Sequence, residues 1–389
     1  MTKRDYEVIV VGLGGIGSGA AYWLSRRLGG GVLGLERFEI GHTNGASEDH
    51  SRIIRLSYHT PRYVRLAHEA YAAWDDVERE AGERLVVRTG GLDLWPEGAA
   101  IPMRDYTASM DECGVAYERL DAGETMRRWP QWHLPRSVQA LYQPDGGIAP
   151  ASACNRAHRR LAREHGATLR GGSPVEAIRS VGGELEVRTP QGAYRCGKVV
   201  IAVDSWTNQV IGSFGARLPL TITQEQVVYF AAQDPVRFAP ERFPIWIWMD
   251  DPCFYGFPMF GAPGPKAAQD VGGREVTPET RTGEADPAAL ARVRGFVERY
   301  LPEAAGPVLE LRTCPYTMPP DRDFLLDSVP GEPNALVALG AAHGFKFASL
   351  FGRILSELAL DGTTRSDISG FEMDRPVLTM ADPPKSFLV

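Results

Sequence analysis

Gly12, Gly14 and Gly17 fall in the order G-x-G-x-x-G, and Glu36 follows the last of them. The chemistry such a group can do is to hold a dinucleotide. The first glycine permits a tight turn, the second lets backbone approach a pyrophosphate, and the third allows close helix packing. A helix N-terminus behind the turn favours the anion. An acidic residue about 20 residues on accepts hydrogen bonds from ribose hydroxyls and repels a 2′-phosphate. The three glycines alone are a weak signal, because glycine-bearing loops are common; their context decides. The motif does not distinguish NAD from FAD.

The context is the one required. Residues 6–11 (YEVIVV) form a short apolar run rich in β-branched residues, which predicts a strand buried on both faces. From Ile16, the apolar residues Ala20, Trp23 and Leu24 recur at helical spacing until Gly29–Gly31, and 32–36 reads as a second strand. Residues 198–203 and 335–339 are two further buried-strand patterns, far along the chain; Leu185, Val187 and Tyr194 suggest a small antiparallel layer before the first of them. Strands that return from such a distance favour FAD over NAD, whose domain is usually completed in one block. An amphipathic helix is expected over 347–360, with Leu350, Phe351, Ile354, Leu355 and Leu358 on one face. Between these pieces, Trp246, Trp248, Phe254, Tyr255, Phe257 and Phe260 crowd one stretch that would cover a substrate, and 261–286 reads as a polar loop.

With 389 residues and 43% hydrophobic content, the chain can bury a large core in one or two domains. A net charge of -7 gives no basic footprint, which argues against a nucleic-acid partner. No apolar stretch approaches the length of a membrane span, and residues 1–5 lack a secretory pattern, so a cytoplasmic protein is expected. Cys113, Cys154, Cys196, Cys253 and Cys314 are scattered and odd in number, which argues against a disulfide framework and a zinc site.

Further segments occur in a fixed order: His42-Thr43-Asn44-Gly45, Ser51-Arg52-Ile53-Ile54-Arg55, Tyr255-Gly256-Phe257-Pro258, Lys266, Cys314-Pro315-Tyr316-Thr317 and His343-Gly344-Phe345-Lys346-Phe347. On these the chain resembles the monomeric sarcosine oxidase and N-methyltryptophan oxidase family across nearly its full length. The resemblance implies an α/β fold with an α+β second lobe, in which a glutathione-reductase-type FAD-binding domain (1–85, 140–218 and 320–389) interleaves with a mixed-sheet substrate domain (86–139 and 219–319). It implies FAD tethered through Cys314, with further cofactor contacts from Ile16, Arg37, Thr43, Ser51, Arg52, Val175, Gly344, Phe345 and Lys346. Arg55 and Lys346 would clamp a substrate carboxylate, Lys266 would activate oxygen, and Arg52 would tune the flavin. Tyr255 and Tyr316 match aromatic positions near the substrate amine, and His343, a further catalytic candidate, sits in the matching turn before the helix. The activity implied is oxidation of a secondary amino acid by dioxygen in a monomeric enzyme, releasing an imine and hydrogen peroxide.

The pattern is broken in places. Glu48-Asp49-His50 replaces the family's histidine-bearing stretch, Asp270 stands where sarcosine oxidases place a histidine, and Asp204 replaces a glycine. The turn Gly340-Ala341-Ala342-His343 is one residue shorter than in sarcosine oxidase. These departures bear on substrate shape and leave open cyclic imino acids, such as proline, pipecolate or a piperideine carboxylate, beside N-methyl amino acids. A flavin dehydrogenase with another acceptor and an NAD-dependent reductase are the competing functions.

Overall fold

The computed structural model describes residues 4–386 as mixed α/β; the expectation for the first residues therefore lies partly outside the described residues. Strand Tyr6–Val11 runs at the centre of an eight-stranded sheet, fully buried from Val8 onward as its β-branched run requires. It pairs in parallel with Val32–Leu35 on one side and with the long strand Gly192–Ile201 on the other. Glu332–Leu339 and Thr168–Arg170 extend the parallel run at its two ends. The lower half of Gly192–Ile201 also carries the antiparallel strands Glu184–Thr189 and Ala177–Val181, the small layer expected from Leu185, Val187 and Tyr194. Helices Gly15–Leu28 and Ala348–Asp361 pack together on one face of this sheet, with Ala151–Glu164 alongside.

A second, nine-stranded sheet is almost wholly antiparallel; only Ile245–Trp248 and Gly91–Trp95 pair in parallel. Thr221–Phe230 is its hub and pairs with Val308–Met318 along its whole length, placing Glu225 opposite Cys314. A three-stranded sheet of Arg52–Ile54, Gly147–Ala149 and Val87–Arg88 lies between the two larger ones in sequence. No described helix is long and apolar enough to cross a membrane.

Two expectations are corrected. The 261–286 stretch is not a loop throughout: Lys266–Asp270 is a strand, gripped by Phe257 on one side and Tyr229 on the other in register with Lys266. Proline and glycine on its N-terminal flank disguised a five-residue strand whose conformation is imposed by its neighbours. The aromatic crowd divides by strand alternation. Trp246, Trp248 and Phe254 turn into a core against Phe296 and Tyr300 of helix Pro287–Tyr300, whereas Ile247, Tyr255 and Phe257 face the cavity described next.

Candidate active site

A cavity of about 700 Å³ is walled by both large sheets and by the three-stranded one. Of the residues singled out from sequence, Gly12, Gly14, Ile16, Glu36, Arg37, Thr43, Ser51, Arg52, Arg55, Val175, Tyr255, Lys266, Cys314, Tyr316, His343, Gly344, Phe345 and Lys346 all line it. Gly17 does not. A Cβ there would lie 1.9 Å from the carbonyl oxygen of Gly12, so this glycine serves the turn's packing and not a ligand contact.

The nucleotide end is built by the strand-to-helix turn. Gly12 has φ of 87°, and a Cβ would meet the Ala202 carbonyl oxygen at 2.4 Å, so the turn admits only glycine. Glu36, 7% exposed, accepts from Leu13 N at 2.8 Å, Phe38 N at 3.2 Å and the His42 ring at 3.1 Å. Burial opposes its charge, but these hydrogen bonds outweigh it and hold the carboxyl below its ordinary range. About one acceptor direction remains for a ribose hydroxyl.

At the far end are four buried cations. Arg55 and Lys346 both lie over the Tyr58 ring, at 4.8 and 5.8 Å, which fixes two charges from different elements on one platform. The Lys346 ammonium donates to the His343 carbonyl at 3.0 Å. Burial, reinforced by Arg55, brings it down to about 7. Asp93 stands 3.5 Å from Arg55, yet the Arg55 Nε is buried without a hydrogen-bond partner. A buried guanidinium with an unspent donor suits an incoming carboxylate. Arg322, reached by no sequence signal, grips Asp270 with two bonds of 2.7 and 2.8 Å. Lys266 donates to Asp49 at 2.6 Å and to Ser51; burial lowers it to about 8 although Asp49 acts to raise it.

Neutral groups complete the wall. The Tyr255 and Tyr316 hydroxyls are 3.2 Å apart, and burial pushes both phenols up. His343 lies close to Lys346 and Arg322; burial and those cations hold it well below its ordinary value, so it stays neutral and donates Nε2–H to the Arg322 carbonyl at 3.0 Å. Cys314 is half-buried in the cavity wall, with its thiol pushed up to about 11 by burial while Arg52 pulls the other way. Cys253 also lines the cavity, which sequence reasoning did not foresee. Among the described residues there is no cluster of His, Cys, Asp and Glu fit to hold a metal.

A phosphate-binding turn at the end of a parallel sheet, opening into a cavity lined by cations and a cysteine, defines a dinucleotide-dependent redox protein. The cradle at Gly12 and the engaged Glu36 fit the nucleotide half of FAD. Residues 7–358 match the DAO family, FAD dependent oxidoreductase, and the chain belongs to it. It is 32% identical to the monomeric sarcosine oxidase of Arthrobacter sp. (strain TE1826) over 97% of this chain and 98% of that protein. It is 30% identical to the N-methyl-L-tryptophan oxidase of Salmonella agona (strain SL483) over 95% of this chain and 99% of that protein. Among solved structures it is similar to NikD, an unusual amino acid oxidase essential for nikkomycin biosynthesis, with a TM-score of 0.84, 29% identity, and coverage of 100% of this chain and 99% of that one.

Proposed function

We propose that this FAD-dependent oxidoreductase oxidises secondary α-amino acids at the C–N bond, with dioxygen as acceptor and FAD held covalently through Cys314. The observation that carries the reading is the pair Arg55 and Lys346 over Tyr58, with a buried Arg55 donor unspent. A guanidinium directs a carboxylate and the ammonium adds charge. FAD, when bound, supplies the two-electron acceptor. The chain's own residues position the substrate. Arg55 and Lys346 anchor its carboxylate, and Tyr255 and Tyr316, both kept protonated, orient the amine by hydrogen bonding without accepting its proton. Arg52 and Lys266 place positive charge where reduction and the reaction with dioxygen develop negative charge.

The reading extends to the rest of the molecule: a discontinuous FAD-binding domain (1–85, 140–218, 320–389), a substrate domain (86–139, 219–319), and action as a cytoplasmic monomer. One modification concerns the boundary near 140, because Gln139–Gln143 pairs inside the second sheet with Gly91–Trp95.

Cyclic secondary amino acids are the second reading. It is favoured by Ala341 and Ala342, both at positive φ (47° and 69°) in the shortened turn, and by the Arg322–Asp270 pair in the wall. The test is anaerobic bleaching of the purified protein with sarcosine, N-methyl amino acids, proline, pipecolate and unsaturated ring analogues. At least one secondary amino acid should bleach the flavin, and air should restore it with one hydrogen peroxide per turnover. Bleaching by none of them, or restoration without peroxide, would overturn the proposal. Acid precipitation should leave the yellow colour with the protein and, in Cys314→Ala, release it.

A further inference from the structure

Asp49 has no place in the functional reading so far, yet it is the most heavily engaged carboxylate in the cavity wall. Its Oδ2 accepts from Lys266 at 2.6 Å and Arg52 at 3.1 Å; its Oδ1 accepts from Tyr229 at 2.9 Å, Arg312 at 3.1 Å and the His50 backbone N–H at 2.7 Å. Lys266 and Asp49 are 2% and 5% exposed, so water contributes little to either. An ammonium in such a place keeps its charge only if a counter-ion is supplied. Phe257, 4.6 Å from Nζ, and the Tyr229 ring, 5.7 Å from it, provide the apolar sides of the compartment.

We infer that Asp49 is a positioning residue for the reaction with dioxygen: its carboxylate fixes the Lys266 ammonium in the cavity wall and supplies the counter-charge that keeps it a cation. The inference rests on the proposed role of Lys266. Its logic is one of charge balance. Lys266 and Arg52 face one carboxylate, so the trio keeps a net positive charge toward the cavity; Arg312 is balanced by Glu310, to which it is also hydrogen-bonded. The titratable and charged groups around the pair are Asp49, His50 and Arg52 from the segment before and into strand Arg52–Ile54, Glu225 and Tyr229 from Thr221–Phe230, Tyr255 from Cys253–Phe257, and Glu310, Arg312, Cys314 and Tyr316 from Val308–Met318. Of these, Asp49 alone accepts directly from the Lys266 ammonium through a carboxylate, so its removal leaves Lys266 facing Arg52 uncompensated.

The chain contains five lysines, so side-chain-labelled lysine gives a spectrum in which Lys266 is assignable by its loss in Lys266→Met. In the flavin-loaded Asp49→Asn protein, the Lys266 titration midpoint should fall by roughly one to three pH units, the range an adjacent opposite charge commands. Reoxidation of the anaerobically reduced enzyme at pH 8 should slow by about tenfold for each unit lost, and its high-pH decline should move to lower pH. Reoxidation should slow by a larger factor than flavin reduction, which Asp49 reaches only through Arg52, and Asp49→Glu should restore reoxidation in part. Adding Asp49→Asn to Lys266→Met should slow reoxidation no further. An unshifted Lys266 midpoint, or an Asp49→Asn effect that persists in full without Lys266, would overturn the inference. Wild-type reoxidation in Lys266→Met would remove the role of Lys266 and this inference together, whereas slow Lys266→Met with unaffected Asp49→Asn would remove the inference alone. If Asp49→Asn does not accumulate, Arg312→Gln, at a half-exposed site, removes a competing cation and should raise the Lys266 midpoint; no rise would count against the inference.

Discussion

Arg55 and Lys346 are the two side chains on which the proposed carboxylate recognition turns, and burial treats them differently. Arg55 keeps its charge under all accessible conditions, because the Asp93 carboxylate offsets its desolvation. Among the described residues no carboxylate is in direct contact with Lys346, and burial brings it down to about 7. In the proposed clamp, a bound carboxylate would supply the missing counter-charge and raise that value. Binding above pH 7 is therefore coupled to proton uptake, since the free lysine is increasingly neutral there and the bound one is not. The dissociation constant of a non-oxidisable carboxylate such as acetate should be nearly flat just below pH 7, where the ligand is still an anion, and rise by about tenfold per unit above it. In Lys346→Met the rise should vanish; if it survived, the titrating group would lie elsewhere. Arg55→Ala should raise KM by roughly 10- to 100-fold, the worth of a hydrogen-bonded charge pair. A KM unchanged in steady-state assays of that variant would dismiss the clamp. Both cations were legible from short motifs around them. Tyr58, Asp93 and Arg322 were not, because a platform or a counter-ion is recognisable only once the chain brings it beside the group it serves. Asp49 left a trace in the sequence, as part of a stretch that breaks the family's pattern, but the trace gave no hint of its partners.

Elements were readable where the pattern was local. The strand Tyr6–Val11, the turn and helix after it, and helix Ala348–Asp361 all follow from periodicity and glycine placement. Lys266–Asp270 escaped detection because its conformation is dictated by two flanking strands. The turn after Gly192–Ile201 shows how a local departure becomes a cost. Asp204 takes φ of 47°, a conformation that suits glycine, and its Oδ2 is buried with no hydrogen-bond partner. Burial raises its carboxyl to about 6, against which Thr317 and Ser205 act only partly. The raised value means the folded protein binds this proton more tightly than the unfolded chain does. Stability is thus present below about pH 4 and is lost as pH climbs to about 6, and the full cost persists at neutrality. Asp204→Asn tolerates the same backbone and carries no charge. It should raise Tm at pH 7.5 by a gain on the order of 1–2 kcal/mol, with the advantage shrinking toward pH 4. An equal gain at both pH values would point to backbone strain and not to charge. At the first turn the opposite outcome is expected: Gly17→Ala forces a Cβ against the Gly12 carbonyl and should cost about 1–3 kcal/mol together with loss of bound FAD, read as the ratio of flavin to protein absorbance.

On the scale of the whole molecule, the cavity is the seam. One side of it comes from the turn Gly12–Ile16, Glu36 and the Gly340–Lys346 region, which belong to the parallel sheet and its helices; the other comes from Tyr255, Lys266, Cys314 and Tyr316, which are strand residues of the antiparallel sheet. A cofactor filling this seam touches both layers, and its binding free energy is shared between them as folding free energy. The chain crosses the seam repeatedly, since the parallel sheet draws strands from residues 6–35, 168–201 and 325–339, so neither layer is a continuous piece able to fold first and wait for the other. Loss of the cofactor should therefore loosen both layers at once. Cys314→Ala, in which FAD is expected to dissociate, makes the test possible. Its Tm should climb with added FAD as a single calorimetric transition, as its stability rises by RT ln(1 + [FAD]/Kd). Tryptophan fluorescence provides the local probe: Trp246 and Trp248 lie in the antiparallel layer and Trp23 and Trp74 beside the parallel one, and single-tryptophan variants retaining one residue from each group should melt at coincident midpoints at every FAD concentration. If the Trp246 probe melted at a fixed temperature while the Trp74 probe moved with FAD, the cofactor would be held by the parallel layer alone, and the cavity walls contributed by Lys266 and Cys314 would play no part in its binding.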